Sequence, residues 1–157
     1  MDVTALTTVL AFERPAIDWH AVAPELTLLA VGALLTLLDV VLLERGRKYM
    51  PALAGLGLLV TLGPVLTLAV DRTNRTMFGG AFVVDEFALL FKALLLVSGY
   101  IVVLLSTNYI AEGDYWESEY YELLLCSILG MVLMASARDL ITVFIALELL
   151  SIPAYML

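Results

Sequence analysis

The chain of 157 residues has one cysteine, Cys126, and one histidine, His20. A lone thiol excludes an internal disulfide, a CxxC redox pair and an iron-sulfur cluster held by this chain alone. With His20 equally isolated, no zinc or haem site can be built from histidine and cysteine. Basic residues are scarce, 8 against 16 acids, and no basic stripe points to nucleic acid. No glycine-rich phosphate loop precedes a helix, so nucleotide binding has no support. Charge of either sign is thin: 15% of residues are charged and 62% hydrophobic, which places the chain among membrane proteins and leaves no separate soluble domain. An enzyme with its own active site is the weakest reading, because no nucleophile, metal cluster or cofactor fingerprint is present.

What the chain does have is long apolar runs. Residues 1–22 lack the basic start and cleavage site of a signal peptide and read as an extramembrane or interfacial lead-in, with Trp19 and His20 at headgroup level. Five apolar runs follow, at about 24–43, 51–70, 82–105, 120–137 and 140–157, each close to the length that crosses a hydrocarbon core of roughly 30 Å. The expected fold is all-α, a polytopic transmembrane helix bundle of about five helices. In the first span Pro24 and Glu25 suit a first helical turn, so Glu25 reads as a helix-start device. Asp39 lies about a turn inside the far end, where Arg45, Arg47 or Lys48 of the next loop could neutralise it; interface pairing and charge movement are both open to it. The second span carries no charge but has Ala52, Gly55, Gly57 and Gly63, which let neighbouring backbones approach closely. Asp71 to Ala81 reads as a polar turn.

The third span holds Asp85 and Glu86 near its start and Lys92 farther in. Asp85 and Lys92 share a helix face but lie about 10 Å apart along the axis, too far for a direct pair. Lys92 either snorkels, satisfied by a carboxylate near the helix start, or is a basic member of a buried charge chain. An acidic loop, with Tyr115, Trp116, Tyr120 and Tyr121 suited to an aromatic belt, leads to a fourth span. That span carries Cys126, Ser127, Gly130, Met131 and Met134, read as a packing surface. Arg138 and Asp139 make a turn so short that spans four and five must be antiparallel neighbours.

The last span, LITVFIALELLSIPAYML, carries one carboxylate, Glu148, near its middle. An ionisable group at membrane depth costs at least about 2.5 kcal/mol on insertion scales, which makes it a functional-site hypothesis. Ser151 and Tyr155 follow at three and seven residues, on the same helix face. Pro153 removes an amide donor and frees a backbone acceptor one turn beyond the acid. Acid, hydroxyls and freed carbonyl are the parts of a short buried proton path; the alternative is a glutamate that only joins two helices. Five spans put the two ends on opposite sides, and the compact trio Arg45, Arg47 and Lys48 favours its own side as cytoplasmic and the N-terminus as outside. The final helix stops at Leu157 without cap or polar tail, so a longer chain is expected.

The segments APELTLLAVGALLTLLDVVL, VVDEFALLFKALLLV and EYYELLLCSILGMVLMASARDLITVFIALELLSIPAYML together resemble the first, third, fourth and fifth helices of subunit N of proton-translocating NADH-quinone oxidoreductase, respiratory complex I. The resemblance covers nearly all of the chain, and its ELLSIPAY core is shared more loosely with the antiporter-like subunits L and M and with cation/proton antiporters. It implies the N-terminal part of a roughly fourteen-helix antiporter-like subunit, whose buried lysines lie on later helices absent here. Glu148 would then be the intramembrane glutamate of the fifth helix, modulating the protonation of such a lysine. Lys92, on another helix, is no replacement for it. The implied role is proton translocation through buried charged residues, with Glu148, Lys92, Asp39, Ser151 and Tyr155 as candidates, coupled to quinone reduction elsewhere. No cofactor is expected on this chain; NADH, FMN, iron-sulfur clusters and quinone belong to other subunits. Expected partners are the other membrane subunits, antiporter-like and small, and the lipid bilayer; the expected location is the bacterial inner (plasma) membrane. The alternatives are a subunit of a multisubunit cation/proton antiporter or membrane-bound hydrogenase, or a purely structural membrane scaffold.

Overall fold

Helix ends in this chain are set by a few polar residues at the borders of apolar runs. The computed structural model describes residues 17–42, 49–71, 74–112 and 117–157. Helix α1, Ala23–Leu42, starts with Pro24 and Glu25 in its first turn. Helix α2, Met50–Asp71, contains Pro64, whose missing amide leaves a carbonyl of the preceding turn without its usual donor. Helix α3, Glu86–Glu112, is 27 residues long; α4 is Glu117–Ser136 and α5 is Leu140–Met156. The four helices α1 to α4 are long and apolar enough to cross a membrane, and α5 is a shorter apolar helix. The expected basic partners of Asp39, Arg45, Arg47 and Lys48, and most of the 1–22 lead-in lie outside the described residues.

One element was not expected. In place of a polar turn running into a helix at Phe82, residues 75–84 form a β-hairpin: β1, Arg75–Met77, pairs antiparallel with β2, Phe82–Val84, with Met77 opposite Phe82. Its tip bends through Phe78, Gly79 and Gly80, all at positive φ, a conformation that glycine adopts without steric cost. Apolar, β-branched Phe82-Val83-Val84 suits a strand with one buried face, and Phe82 and Val84 are buried. Asp85 then stops the strand and opens α3, its carboxylate accepting from the Ala88 amide at 2.7 Å.

The helices pack with α2 against α1 and α3, and with α4 against α1, α3 and α5. Leu28, Leu35, Leu58, Val65, Leu96, Leu125, Ile128 and Val132 fill the interior, while Leu37, Val40, Val60, Leu105 and Ile141 face outward. Buried charges and an apolar exterior are the arrangement a lipid solvent favours. The hairpin is joined to the α4–α5 turn by the β-bridge between Phe82 and Ala137, in which the Arg138 amide donates to the Ala81 carbonyl at 2.9 Å, and just past the hairpin Asp85 pairs with Arg138 at 2.8 Å. Asp139 caps α5, its carboxylate accepting from the Thr142 amide at 2.9 Å.

Candidate functional site

Polar side chains inside the bundle gather in three places. The first lies beneath the hairpin, where the Lys92 ammonium from α3 meets Glu25 Oε1 from α1 at 2.5 Å. Lys92 is 0% and Glu25 4% exposed, so both charges are taken out of solvent together. Lys92 does not snorkel, and its partner is not a carboxylate on its own helix. Glu25, read from sequence as a helix-start device, is the partner: its place in the first turn is as expected, but α1 turns it inward against α3. The Phe82 ring lies over the ammonium, 5.1 Å from Nζ to the ring centre. The second carboxylate oxygen, Glu25 Oε2, is buried without a hydrogen-bond partner among the described residues. Removing one member of such a pair typically costs about 3–5 kcal/mol, because the other charge is left buried alone.

The second place is α5. Glu148 is half-buried and makes no hydrogen bond or ion pair among the described residues. Ser151, also half-buried, donates to the Leu147 carbonyl of its own helix at 2.6 Å, and Tyr155 is 89% exposed. The structure therefore keeps the three residues on one helix without bringing them into contact. Lys92 is apart from them, since α5 packs chiefly on α4. The carbonyl engaged near Pro153 is that of Leu150, which accepts from Ser127 of α4 at 3.3 Å.

The third place is between α1 and α4. Half-buried Asp39 lies within electrostatic reach of Glu122, whose carboxyl also approaches the Thr36 hydroxyl. Glu122 Oε1 is buried without a hydrogen-bond partner among the described residues. Sequence reasoning passed over Glu122 as part of an acidic lead-in to the fourth span. Two carboxylates on facing spans, Asp39 near the end of one and Glu122 near the start of another, were the available signal. Cys126, taken for a packing residue, faces outward, whereas Ser127 and Gly130 are buried.

At the hairpin end of the bundle, Arg75 holds Asp18 at 2.6 Å and Asp71 at 3.3 Å, and His20 lies 3.7 Å from Asp71. Desolvation raises the Asp18 carboxyl, but the Arg75 guanidinium and the amides of Ala21 and His20 together hold it below its ordinary value. Asp139 is held low by its contacts with Thr142. Among the described residues no cluster of histidine, cysteine and carboxylates could hold a metal ion.

No family model matches the sequence. The chain is 39% identical over 142 residues to NADH-quinone oxidoreductase subunit N of Anoxybacillus flavithermus, covering 89% of the chain and 28% of that protein. It is 36% identical over 152 residues to NADH-quinone oxidoreductase subunit N 2 of Koribacter versatilis, covering 93% of the chain and 31% of that protein. Among solved structures it is similar to a chain of respiratory complex I from Thermus thermophilus with bound aureothin, at a TM-score of 0.67 and 32% identity, over 85% of this chain and 28% of that one. Over the stretch it shares, the chain belongs to the subunit N family. It spans under a third of the length of these subunit N relatives. As a subunit N segment it is a multi-pass membrane bundle, and the buried Glu25 and Lys92 pair sits in the part of the subunit that this chain covers.

Proposed function

We propose that the chain is the N-terminal part of a proton-translocating membrane subunit of NADH-quinone oxidoreductase, moving protons through buried charged residues while quinone is reduced elsewhere in the complex. The observation that carries this reading is Glu148: a half-buried carboxylate at mid-helix in an apolar segment, with no hydrogen bond or ion pair among the described residues. An ionisable group held at membrane depth marks a functional position whose partner lies inside the protein. By resemblance to the family, that partner is a lysine on a later helix. Lys92, Asp39, Ser151 and Tyr155 are proposed as supporting polar residues.

No redox centre is proposed for this chain. NADH, FMN, iron-sulfur clusters and quinone are assigned to other subunits, and antiporter-like and small membrane subunits are its proposed neighbours in a bacterial inner membrane. The named relatives are oxidoreductase subunits, which favours this reading over a cation/proton antiporter or a membrane-bound hydrogenase. The test is quinone-driven acidification by the assembled complex in proteoliposomes. Glu148→Gln keeps size and hydrogen bonding but cannot ionise, and should depress pumping without loss of assembly; Glu148→Asp should retain part of it. Full pumping by Glu148→Gln would leave only a structural scaffold role for this helix.

A further inference from the structure

We infer that Glu25 and Lys92 form a proton-exchange position of their own, holding a buried water molecule and closed from the hairpin-side aqueous phase by Phe82. The inference deepens the proposed proton-moving role and rests on it, but it concerns residues of α1, α3 and β2 rather than Glu148 on α5. Its starting point is the unequal treatment of the two Glu25 oxygens. Oε1 accepts from the Lys92 ammonium at 2.5 Å, whereas Oε2 is buried with no donor among the described residues. A pair serving only to join α1 to α3 would gain by satisfying both oxygens, since an unmet buried acceptor is costly. The smallest donor that can meet a buried acceptor from outside the chain is water, and buried waters commonly sit on such groups.

The position of the pair says where that water comes from. Glu25 is in the first turn of α1, and Lys92 lies under two turns from the start of α3 at Glu86. Both helix starts are at the hairpin end of the bundle, and the buried Phe82 ring of β2 packs over the ammonium there, 5.1 Å from Nζ. Phe82 is itself tied down through its bridge to Ala137. Next to the strand, the pair between Arg138 and Asp85 fixes the start of α3. An aromatic ring carried by the hairpin thus packs directly on the buried charge pair, which makes it the group proposed to close it. Asp85 is the next charge within reach of Lys92, and Arg138 already occupies it. The bound water takes up a proton from the aqueous phase and passes one on: one of its O–H bonds breaks as an O–H bond forms on Oε2, which leaves neutral water and turns the carboxylate into the acid, while the ammonium keeps its three N–H bonds. Release is the reverse, the proton returning to the water and the O–H electron pair staying on Oε2.

The experiment uses the assembled complex. Glu25→Gln/Lys92→Met removes both charges at similar bulk, so no buried charge is left unpaired. The expected result is an assembled complex that still reduces quinone but pumps fewer protons per electron pair; a full ratio overturns the inference. Phe82→Ala, which leaves both charges in place, decides the matter even where the double variant does not assemble. Lys92 should be protected from a small water-soluble amine-acylating reagent in the wild type and in Phe82→Leu, and become acylated in Phe82→Ala, with pumping reduced. Continued protection of Lys92 or unaltered pumping in Phe82→Ala overturns the inference. Glu148→Gln, assayed beside these variants, separates the two levels. Pumping lost there but kept in the others removes only this inference, and pumping kept in all removes the proton-moving role as well.

Discussion

Gly130 of α4 lies so close to α5 that a Cβ at this position would come within 2.5 Å of the Leu150 amide nitrogen and 2.9 Å of the Ala146 carbonyl oxygen. Close approach of backbones is how helices associate where lipid removes the usual hydrophobic drive. It also brings Ser127 within reach of the Leu150 carbonyl. Gly130→Ala should therefore force the two helices apart, since the atoms it meets are backbone; overpacking of this kind costs about 1–3 kcal/mol. Gly99→Ala should be milder, because its nearest neighbour is the Cδ1 end of the Ile128 side chain, which can rotate away. Thermal stability of the purified protein in detergent distinguishes them, and equal losses would contradict the assignment of Gly130 as the contact point.

The α5 cap should make stability acid-sensitive. The Asp139 carboxyl lies below its ordinary 3.8 because of its Thr142 contacts. A depressed folded-state value means the unfolded chain binds the proton more readily. The cap's contribution is then fully present above the ordinary value and is lost as pH falls through the folded value. Asp18, held low chiefly by Arg75 against desolvation, acts in the same direction. Asp139→Asn keeps a capping oxygen but cannot titrate. Its melting temperature should fall less than that of the wild type on acidification through the carboxylate range, and parallel curves would refute the linkage.

The hairpin and the Lys92 partner show where sequence reading stops. The apolar runs locate the helices because lipid demands uninterrupted apolar length, and Asp139 and Arg138 announce the tight α4–α5 turn. Phe82, Val83 and Val84 are as apolar as the helix that follows, so hydropathy alone merges them with it. The signal that separates them is local: Gly79 and Gly80 ahead, and a capping aspartate, Asp85, behind. Glu25 was hidden for a different reason. A first-turn glutamate has a sufficient local explanation in the helix dipole, and nothing within α1 reveals that α3 carries a lysine at the matching depth. Glu148 was legible because a mid-span acid has no local explanation.

The expected orientation can be checked on the hairpin. The starts of α1 and α3 and the α4–α5 turn share one end, with Arg75 and Arg138 there tied to acids. The basic trio Arg45, Arg47 and Lys48 follows α1 in the sequence, so the positive-inside rule favours the end where α1 stops as cytoplasmic. Thr76, exposed on β1, offers a probe. Thr76→Cys in a Cys126→Ser background should react with a membrane-impermeant thiol reagent in intact cells and resist it in sealed inverted vesicles. The opposite pattern would invert the topology.

Asp39 and Glu122 allow the sharpest separation of pairing from repulsion. Were Asp39 held by a cation, its neutralisation would strand that cation and weaken assembly. Among the described residues a second carboxylate, Glu122, lies within its electrostatic reach, with Oε1 of that residue unsatisfied among the described residues. Two like charges in a partly buried, low-dielectric site repel, and removing either relieves the other. Asp39→Asn and Glu122→Gln should each assemble at wild-type level or better. The double variant should gain less than the sum of the two, because the second change has no repulsion left to relieve. The measurement is the melting temperature of the purified complex for the four members of this cycle. A loss of stability in Asp39→Asn, rescued by neutralising Arg45, Arg47 or Lys48, would assign the aspartate to the basic loop instead.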